Sequence, residues 1–382
     1  MTQGRTTVVQ IFGAMDRGGA EMRTLELIER VDREQVRSIF VTLSGCPGSL
    51  AGQFEAAGAE IVPIKLSGSF PMAFVWLLRS QKVDAVHSHV ATFSGVILTL
   101  ARVAGVRRRI AHFRSDSPPA RPTARKRAQY RLMRALIGWA ATDIVGVSPG
   151  ALTYGWRSDW EGDPRCRVIP SGLDLGRFGD VADEGTLREL LGARPQDKLL
   201  VHIGRGIPLK NRERAISIFA ELSRSRPMTW LAFVGADTPD DRAHWQQLAD
   251  DLGVGERVRF LGERGDVPQL LRGADLLALT SHYEGLPGVV VEAAAAGTPI
   301  LASDLPGVRF IAAQLRDVHL MSLQSPDAEW ARKASFLLDA EPTPRSREAA
   351  RQRMRGGVFD LTRAAPRFLE LWTGNPPIEA QG

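Results

Sequence analysis

Residues 258–304 read VRFLGERGDVPQLLRGADLLALTSHYEGLPGVVVEAAAAGTPILASD, and their alternation decides the fold class of this chain. Three short β-rich runs lie at Val258–Phe260, Leu276–Leu279 and Pro299–Ala302, with helix-like segments between them. Strands and helices that alternate in this way predict a parallel sheet covered on both faces.

The same alternation extends through both halves of the chain. Further strands are predicted at Thr7–Phe12, Ser38–Leu43, Glu60–Ile64, Ala85–His87, Arg109–His112, Ile144–Val147, Leu199–Ile203 and Thr229–Val234. The predicted class is therefore α/β, with two Rossmann-like, doubly wound domains that face each other across a cleft.

The passage PSGLDLGRFGDVADEGT, residues 170–186, is rich in Gly and Asp, lacks periodicity and predicts the domain junction. The expected domains are 1–175 and 176–360. We expect a final helix in 361–382 that packs back on the first domain.

Composition excludes several classes of protein. The chain has 382 residues, of which 44% are hydrophobic and 24% charged, as in ordinary globular proteins. Two cysteines, Cys46 and Cys166, are too few for a disulfide framework. No metal site is expected, since Cys-x-x-Cys is missing and His-x-His has no third ligand at a sensible spacing. No apolar run spans a bilayer, and the opening segment is interpreted as a strand, which together predict a cytoplasmic protein.

Basic residues concentrate in one segment. The net charge is +6, and residues 102–134 hold eleven Arg or Lys against one acid, Asp116. Three interpretations stay open: a solvated helix face, attraction to an anionic membrane at the inner face, and attraction to a phosphorylated acceptor. No nucleic-acid-binding pattern accompanies the charge. The apolar residues of 123–141 suit either an interfacial helix or the domain core.

Two glycine-containing turns are candidate anion sites. Gly18 and Gly19 separate a β-run from a helix, where backbone can approach a ligand closely. Gly204, Arg205 and Lys210 follow a strand and precede a helix that begins near Asn211. Cations beside a helix N-terminus suit a diphosphate, although an ordinary tight turn and a solvated basic loop are the alternatives.

Two glutamates frame the most specific motif. Glu284 ends a loop, Pro287 is expected as the first helical residue, and Glu292 follows about two turns later. The neighbours of Glu292 in sequence are small and apolar and offer no charge partner. A vicinal diol such as a ribose would supply the hydrogen-bond partner such a carboxylate needs. Two helix-flanking surface acids are the alternative.

Three histidines, His87, His89 and His112, follow or end predicted strands. We expect them to face the cleft, either as structural residues or as substrate contacts.

This ordered set of motifs resembles the family 4 glycosyltransferases, retaining enzymes of the GT-B fold. The resemblance covers about residues 8–311. It is carried by Gly-Gly-Ala-Glu (18–21), VHSH (86–89), VSPGA (147–151), RVIPSGLDLGRF (167–178), GRGIPLKN (204–211) and the stretch 258–304.

The resemblance implies a role for each matching residue. Arg205 and Lys210 would hold the donor diphosphate, with Gly19 approaching it from the first domain. Glu292 would bind the ribose and Glu284 the transferred sugar, which His112 would also contact. Backbone beside the donor would come from Gly285, Leu286, Pro287, Gly288 and Val289. No cofactor and no metal are implied, and the chain has no Asp-x-Asp triplet.

The function expected is transfer of a hexose-type sugar from a nucleoside diphosphate sugar, with UDP-sugar favoured, to an acceptor hydroxyl. The acceptor side matches nothing specific, so polysaccharide, lipid-linked, anionic and secondary-metabolite acceptors stay open. Phe310 replaces an acid that many relatives have. The rivals are another GT-B enzyme, such as an epimerase or a phosphorylase, a catalytically silent sugar-nucleotide-binding subunit, and a membrane-surface binding protein.

Overall fold

The computed structural model describes residues 5–115, 123–179, 185–339 and 344–375 as two compact units. Unit 1 comprises residues 1–173 and 358–382, and unit 2 comprises residues 174–357.

Unit 1 contains one seven-stranded parallel sheet. Its strands are β1 (Thr6–Phe12), β2 (Val36–Thr42), β3 (Glu60–Pro63), β4 (Ala85–Ser88), β5 (Arg108–Phe113), β6 (Asp143–Gly146) and β7 (Cys166–Val168). Its helices up to the junction are α1 (Gly19–Arg30), α2 (Ala51–Ala56), α3 (Phe70–Ser80), α4 (Ser94–Ala104), α5 (Ala124–Ala140) and α6 (Pro149–Gly155). The strand order is β3-β2-β1-β4-β5-β6-β7.

Unit 2 contains a six-stranded parallel sheet in the order β10-β9-β8-β11-β12-β13. Its strands are β8 (Lys198–Ile203), β9 (Thr229–Val234), β10 (Val258–Phe260), β11 (Leu276–Leu279), β12 (Ile300–Ser303) and β13 (Val318–Met321). Its helices are α7 (Thr186–Leu191), α8 (Arg212–Ser225), α9 (Pro239–Asp251), α10 (Val267–Gly273), α11 (Gly288–Ala296), α12 (Pro306–Ala312), α13 (Asp327–Leu338) and α14 (Pro344–Met354).

The last helix, α15 (Leu361–Thr373), returns to unit 1. Its apolar side packs into the core that the sheet shares with α1, and Phe368 and Trp372 are buried there. The backbone of Gly172 lies so close that a Cβ would stand 2.5 Å from the Leu361 Cα. The helix is therefore seated against the chain at the junction as well as against the sheet.

The predicted α/β class with two Rossmann-like domains is confirmed. The central strands are buried on both faces because helices cover each parallel sheet. Two strands were not predicted, β7 and β13, which lie at sheet edges and are only half-buried. Their sequences lack the continuous apolar run that marks a central strand. Among the described residues, no helix is both long and apolar enough to cross a membrane.

Candidate active site

The candidate residues gather where the strand order reverses. That reversal lies between β1 and β4 in unit 1 and between β8 and β11 in unit 2. At such a switch point the loops that leave the two strands diverge to opposite faces, and ligands of open α/β sheets bind in the space between them. Each unit therefore provides its own candidate half-site.

In unit 2 the loops after β8 and β11 meet through an ion pair. The Lys210 Nζ lies 2.5 Å from the Glu284 Oε1, and the Ser281 hydroxyl donates to the same oxygen at 2.7 Å. Both charged side chains are largely buried, at 17% and 11% exposed. Lys210 is a cation that suits a phosphate, and Glu284 is a carboxylate that suits hydroxyl groups. The two side chains are thus in direct contact.

Hydrogen bonds from His202 and Thr280 hold the backbone at Lys210 and Asn211. The His202 Nε2 lies 3.1 Å from the Lys210 carbonyl, and the Thr280 hydroxyl donates to the Asn211 carbonyl at 2.9 Å. Burial lowers the pKa of His202 to about 3, with help from nearby cations, so the imidazole is neutral and donates one N–H. Lys210 is therefore held independently of its contact with Glu284.

The glycine turn after β8 is held by a buried arginine that the sequence analysis did not identify. Arg212 pairs with Asp237 at 3.0 Å, and their side chains are 1% and 2% exposed. Arg212 also donates to the Gly204 carbonyl at 2.9 Å. Gly204 and Gly235 have φ of +153° and +131°, and a Cβ on Gly235 would collide with the Gly204 carbonyl. Arg205, the residue after Gly204, is exposed.

Helix α11 presents its N-terminus beside Glu284. It begins at Gly288, with Pro287 as the N-cap, so the expectation that Pro287 is the first helical residue is wrong by one position. The Gly285 backbone touches the start of α12, where a Cβ on Gly307 would collide with the Gly285 carbonyl. The residues Leu286 and Val289 flank this turn. Unpaired N–H groups at the start of a helix attract an anion.

Glu292 lies on the second turn of α11 and is half-buried. A Cβ on Gly288 would stand 3.8 Å from the Glu292 Oε1, so the Glu292 carboxylate lies beside the first residue of α11. Glu292 takes part in an interaction within the protein.

In unit 1, α1 begins at Gly19 with Gly18 as its N-cap. A Cβ on Gly18 would collide with the Glu21 carboxylate, whereas a Cβ on Gly19 would meet no atom within 4 Å. The space above Gly19 is therefore open to a ligand group, next to the N–H groups of a twelve-residue helix.

The three histidines form one cluster. All three offer a ring nitrogen within 4.8 Å of the others, and the His87 Nε2 lies 3.0 Å from the His112 Nδ1. His87 and His112 are each 1% exposed, and the Phe368 ring of α15 lies 6.0 Å and 5.9 Å from their ring centres. Burial, together with the charge of Arg114, holds the pKa of all three imidazoles well below the usual range.

The spacing along the chain predicts no third ligand for His87 and His89. His112 stands in that place in space although it is distant in sequence. Only the pairing of β4 with β5 brings it there, and the spacing along the chain carries no sign of that pairing.

A second missed residue, Arg114, joins this cluster to the glycine turn. Its Nε donates to the His89 Nδ1 at 3.1 Å, and its Nη1 donates to the Ala20 carbonyl at 2.8 Å. Burial lowers the pKa of Arg114 to about 10, which leaves the guanidinium charged at neutral pH. Its one sequence signal was its place just beyond the strand that ends in His112.

The basic segment 102–134 ends on α5, whose first turns stand away from the protein. Residues 123–129 are all exposed. Leu132 and Trp139 are 57% and 53% exposed, so the alternative that these apolar residues face the core is wrong for both. Ile137 and Ala140 alone are buried on this helix.

Comparison with protein families gives two matches that together span most of the chain. Residues 17–177 match the model described as Glycosyltransferase Family 4, and residues 183–353 match the model described as Glycosyl transferases group 1.

Individual relatives agree with these models. The chain is 30% identical to the putative glycosyltransferase EpsF of Bacillus subtilis over 348 residues, which cover 87% of each protein. It is 28% identical to the capsular polysaccharide biosynthesis glycosyltransferase CapH of Staphylococcus aureus, over 75% of this chain and 78% of that protein. Anabaena HepE in complex with UDP-glucose shares the fold, with a TM-score of 0.81 and 19% identity, over 97% of this chain and all of that one.

The buried histidines predict how stability depends on pH. A histidine with a depressed native pKa binds fewer protons folded than unfolded, so stability falls as the pH drops below the unfolded value of about 6.5. Each of the four histidines with a lowered pKa, His87, His89, His112 and His202, should remove up to about 1.4 kcal/mol per pH unit below that point. Urea unfolding at about pH 7.5, 6 and 5 measures the slope.

His202→Gln keeps an N–H donor and should flatten this slope. His244→Gln removes a histidine that is 63% exposed and controls for the substitution itself. A free energy of unfolding that stays constant between pH 7.5 and 5 contradicts the analysis.

Proposed function

Because this chain belongs to the family 4, group 1 glycosyltransferases, we propose that it transfers a hexose-type sugar from a nucleoside diphosphate sugar to an acceptor hydroxyl. UDP-sugar is the favoured donor, and the reaction retains the anomeric configuration without a cofactor or metal. The observation that carries the proposal is the contact of Lys210 with Glu284 at the switch point of unit 2. Polysaccharide biosynthesis is the favoured process, supported by the similarity to the capsular polysaccharide biosynthesis glycosyltransferase CapH.

The diphosphate is bound by charge that the protein itself supplies. Lys210 is held by its backbone and by Glu284, while Arg205 is exposed at the same turn and free to reach an incoming anion. The N–H groups at the start of α11 add partial positive charge. Positive charge fixed in place stabilises the leaving diphosphate more in the transition state than in the ground state, the task that a metal performs elsewhere.

The sugar and the ribose are read by the two glutamates. Glu284 accepts hydrogen bonds from hydroxyls of the transferred sugar, at a point where Ser281 already orients its carboxylate. Glu292, on the second turn of α11, accepts from the ribose diol. The backbone from Gly285 to Val289 passes between them.

The chemistry is a displacement on one face of the sugar. The acceptor oxygen forms a bond to C1 as the bond from C1 to the diphosphate oxygen breaks, and the acceptor proton passes to that leaving oxygen. His112 contacts the transferred sugar. A catalytically silent sugar-nucleotide-binding subunit is the less favoured alternative, since the named relatives are glycosyltransferases.

Donor binding tests this site directly. A thermal-shift panel of UDP-, GDP-, ADP- and TDP-sugars, with and without EDTA, should stabilise the protein with UDP-sugar by roughly 2.7 kcal/mol at about a hundred times the dissociation constant. Lys210→Met should weaken binding by about 1.5–3 kcal/mol, the contribution of a hydrogen bond to a charged group. Glu292→Gln should also weaken it.

Lys198→Met is the matched control. Lys198 pairs with Asp275 at 3.5 Å and is 22% exposed, but it lies at the opposite end of β8. Its loss should leave donor affinity unchanged. Equal effects of the two lysine variants, or a shift that EDTA abolishes, would contradict the proposed site.

We also propose that unit 1 contacts an anionic membrane from the inner face. Helices α3, α4 and α5 pack side by side, and together they expose Met72 at 81%, Trp76 at 69% and Val103 at 58%, besides Leu132 and Trp139. Exposed tryptophan and aliphatic residues on neighbouring helices suit the boundary between headgroups and acyl chains.

Charge on the same helices supports an anionic lipid surface. Arg102 and Arg107 are exposed at the end of α4, and Arg125, Lys126 and Arg131 are exposed on α5. The Arg102 guanidinium lies 4.3 Å from the ring centre of Trp139, which places a cation directly beside an apolar anchor. Each cation near an anionic surface adds about 1 kcal/mol of attraction.

Vesicle co-sedimentation tests the membrane proposal. The protein should bind phosphatidylglycerol vesicles, bind phosphatidylcholine vesicles weakly, and dissociate as salt rises. Trp76→Ser should reduce binding, whereas Phe336→Ser should not, because Phe336 is equally exposed at 67% but lies on unit 2. Binding that is equal on neutral vesicles, or equal loss in both variants, would overturn the proposal.

A further inference from the structure

Each hydrogen bond along the row Trp372–His87–His112 can be assigned a donor and an acceptor, and the assignment begins with Trp372. The Trp372 Nε1 lies 3.1 Å from the His87 Nδ1. An indole nitrogen only donates, so the His87 Nδ1 accepts and carries no proton. The proton of the neutral His87 ring is therefore on Nε2.

The proton position on His87 also fixes the donor and the acceptor in its bond to His112. The His87 Nε2 lies 3.0 Å from the His112 Nδ1, and since Nε2 is the donor, the His112 Nδ1 is the acceptor. A protonated His112 would carry a hydrogen on Nδ1 as well and oppose that donor. His112 is thus neutral, with its proton on Nε2.

The last donor of this chain has no acceptor among the residues that the structure describes. The His112 Nε2 is buried and without a hydrogen-bond partner, and the residue is 1% exposed. A buried donor left unpaired costs free energy, so such a group in a native protein calls for a ligand or a water. The group stands on β5, in the half-site beside the glycine turn.

We propose that Trp372 and His87 are positioning residues that fix His112 as an Nε2–H donor, so that it gives a hydrogen bond to the transferred sugar and does not accept the acceptor's proton. The inference rests on the proposed function, in which His112 contacts that sugar. It assigns α15, the last helix of the chain, a part in the chemistry of the first unit. It also agrees with a displacement in which the proton goes to the leaving diphosphate.

The same bonds oppose a metal at this cluster. The lone pair of the His87 Nδ1 is engaged by Trp372 and that of the His89 Nδ1 by Arg114, whose buried charge would also repel a cation. The His112 Nδ1 lone pair is engaged by His87. A trihistidine metal site would have to break all three contacts.

The test reads the tautomers directly. Protein labelled with ¹⁵N-histidine is examined by two-bond ¹H–¹⁵N correlation near pH 7.5, with assignment through His87→Gln and His112→Gln. His87 and His112 should both be neutral Nε2–H tautomers. Trp372→Phe removes the indole donor but keeps an aromatic ring, and it should shift the tautomer ratio of His87 by about fivefold, the factor that one hydrogen bond sets.

Trp330→Phe is the control. Trp330 is as deeply buried and donates to the Ser322 carbonyl at 3.0 Å, but it lies in unit 2. Its variant should lose comparable stability and leave the histidine signals unchanged. No sugar nucleotide is needed, so the result is independent of the donor assignment.

Three results would overturn the inference. One is an Nδ1–H tautomer or an imidazolium at His112 in the wild-type protein, which decides the matter even if Trp372→Phe does not fold. Another is a Trp372→Phe spectrum with both tautomers unchanged. The third is stoichiometric binding of Zn²⁺ that moves all three histidine signals.

Discussion

The half-site of unit 2 depends on one buried guanidinium. Arg212 pairs with Asp237 and donates to the Gly204 carbonyl, and its Cζ lies 4.8 Å from the Trp245 ring centre. Leaving one member of a buried ion pair alone costs about 3–5 kcal/mol, so this arrangement constrains the turn strongly. Because the turn after β8 is fixed, Lys210 meets Glu284 at a defined place.

In unit 1 a guanidinium also donates to a backbone carbonyl, but the residues are different. Arg114 is half-buried beyond β5 and donates both to the His89 Nδ1 of the histidine cluster and to the Ala20 carbonyl in the first turn of α1. In each unit a guanidinium thus donates to a backbone carbonyl at or beside the glycine turn. An arginine suits this role because its several N–H groups reach acceptors on different elements at once.

Much of this organisation is visible in the sequence, and the rest is absent for definite reasons. Central strands such as β9 and β11 are continuous apolar runs and were predicted to the residue. The glycine turns and glutamates were predicted because local chemistry marks them. Arg212 and Arg114 were missed, because the partners through which each arginine holds a backbone turn lie far away in sequence. The histidine cluster was missed as a unit because strand pairing creates it, and the exposure of Leu132 and Trp139 reflects how little of α5 packs on the protein.

Hydrogen–deuterium exchange with and without UDP tests whether the turns after β8 and β11 form the donor site. Exchange should slow in residues 203–212 and 281–293 when UDP is bound, with α13 unchanged as an internal reference. Protection confined to other segments, or exchange in these two turns that UDP, GDP, ADP and TDP all leave unaltered, would contradict it.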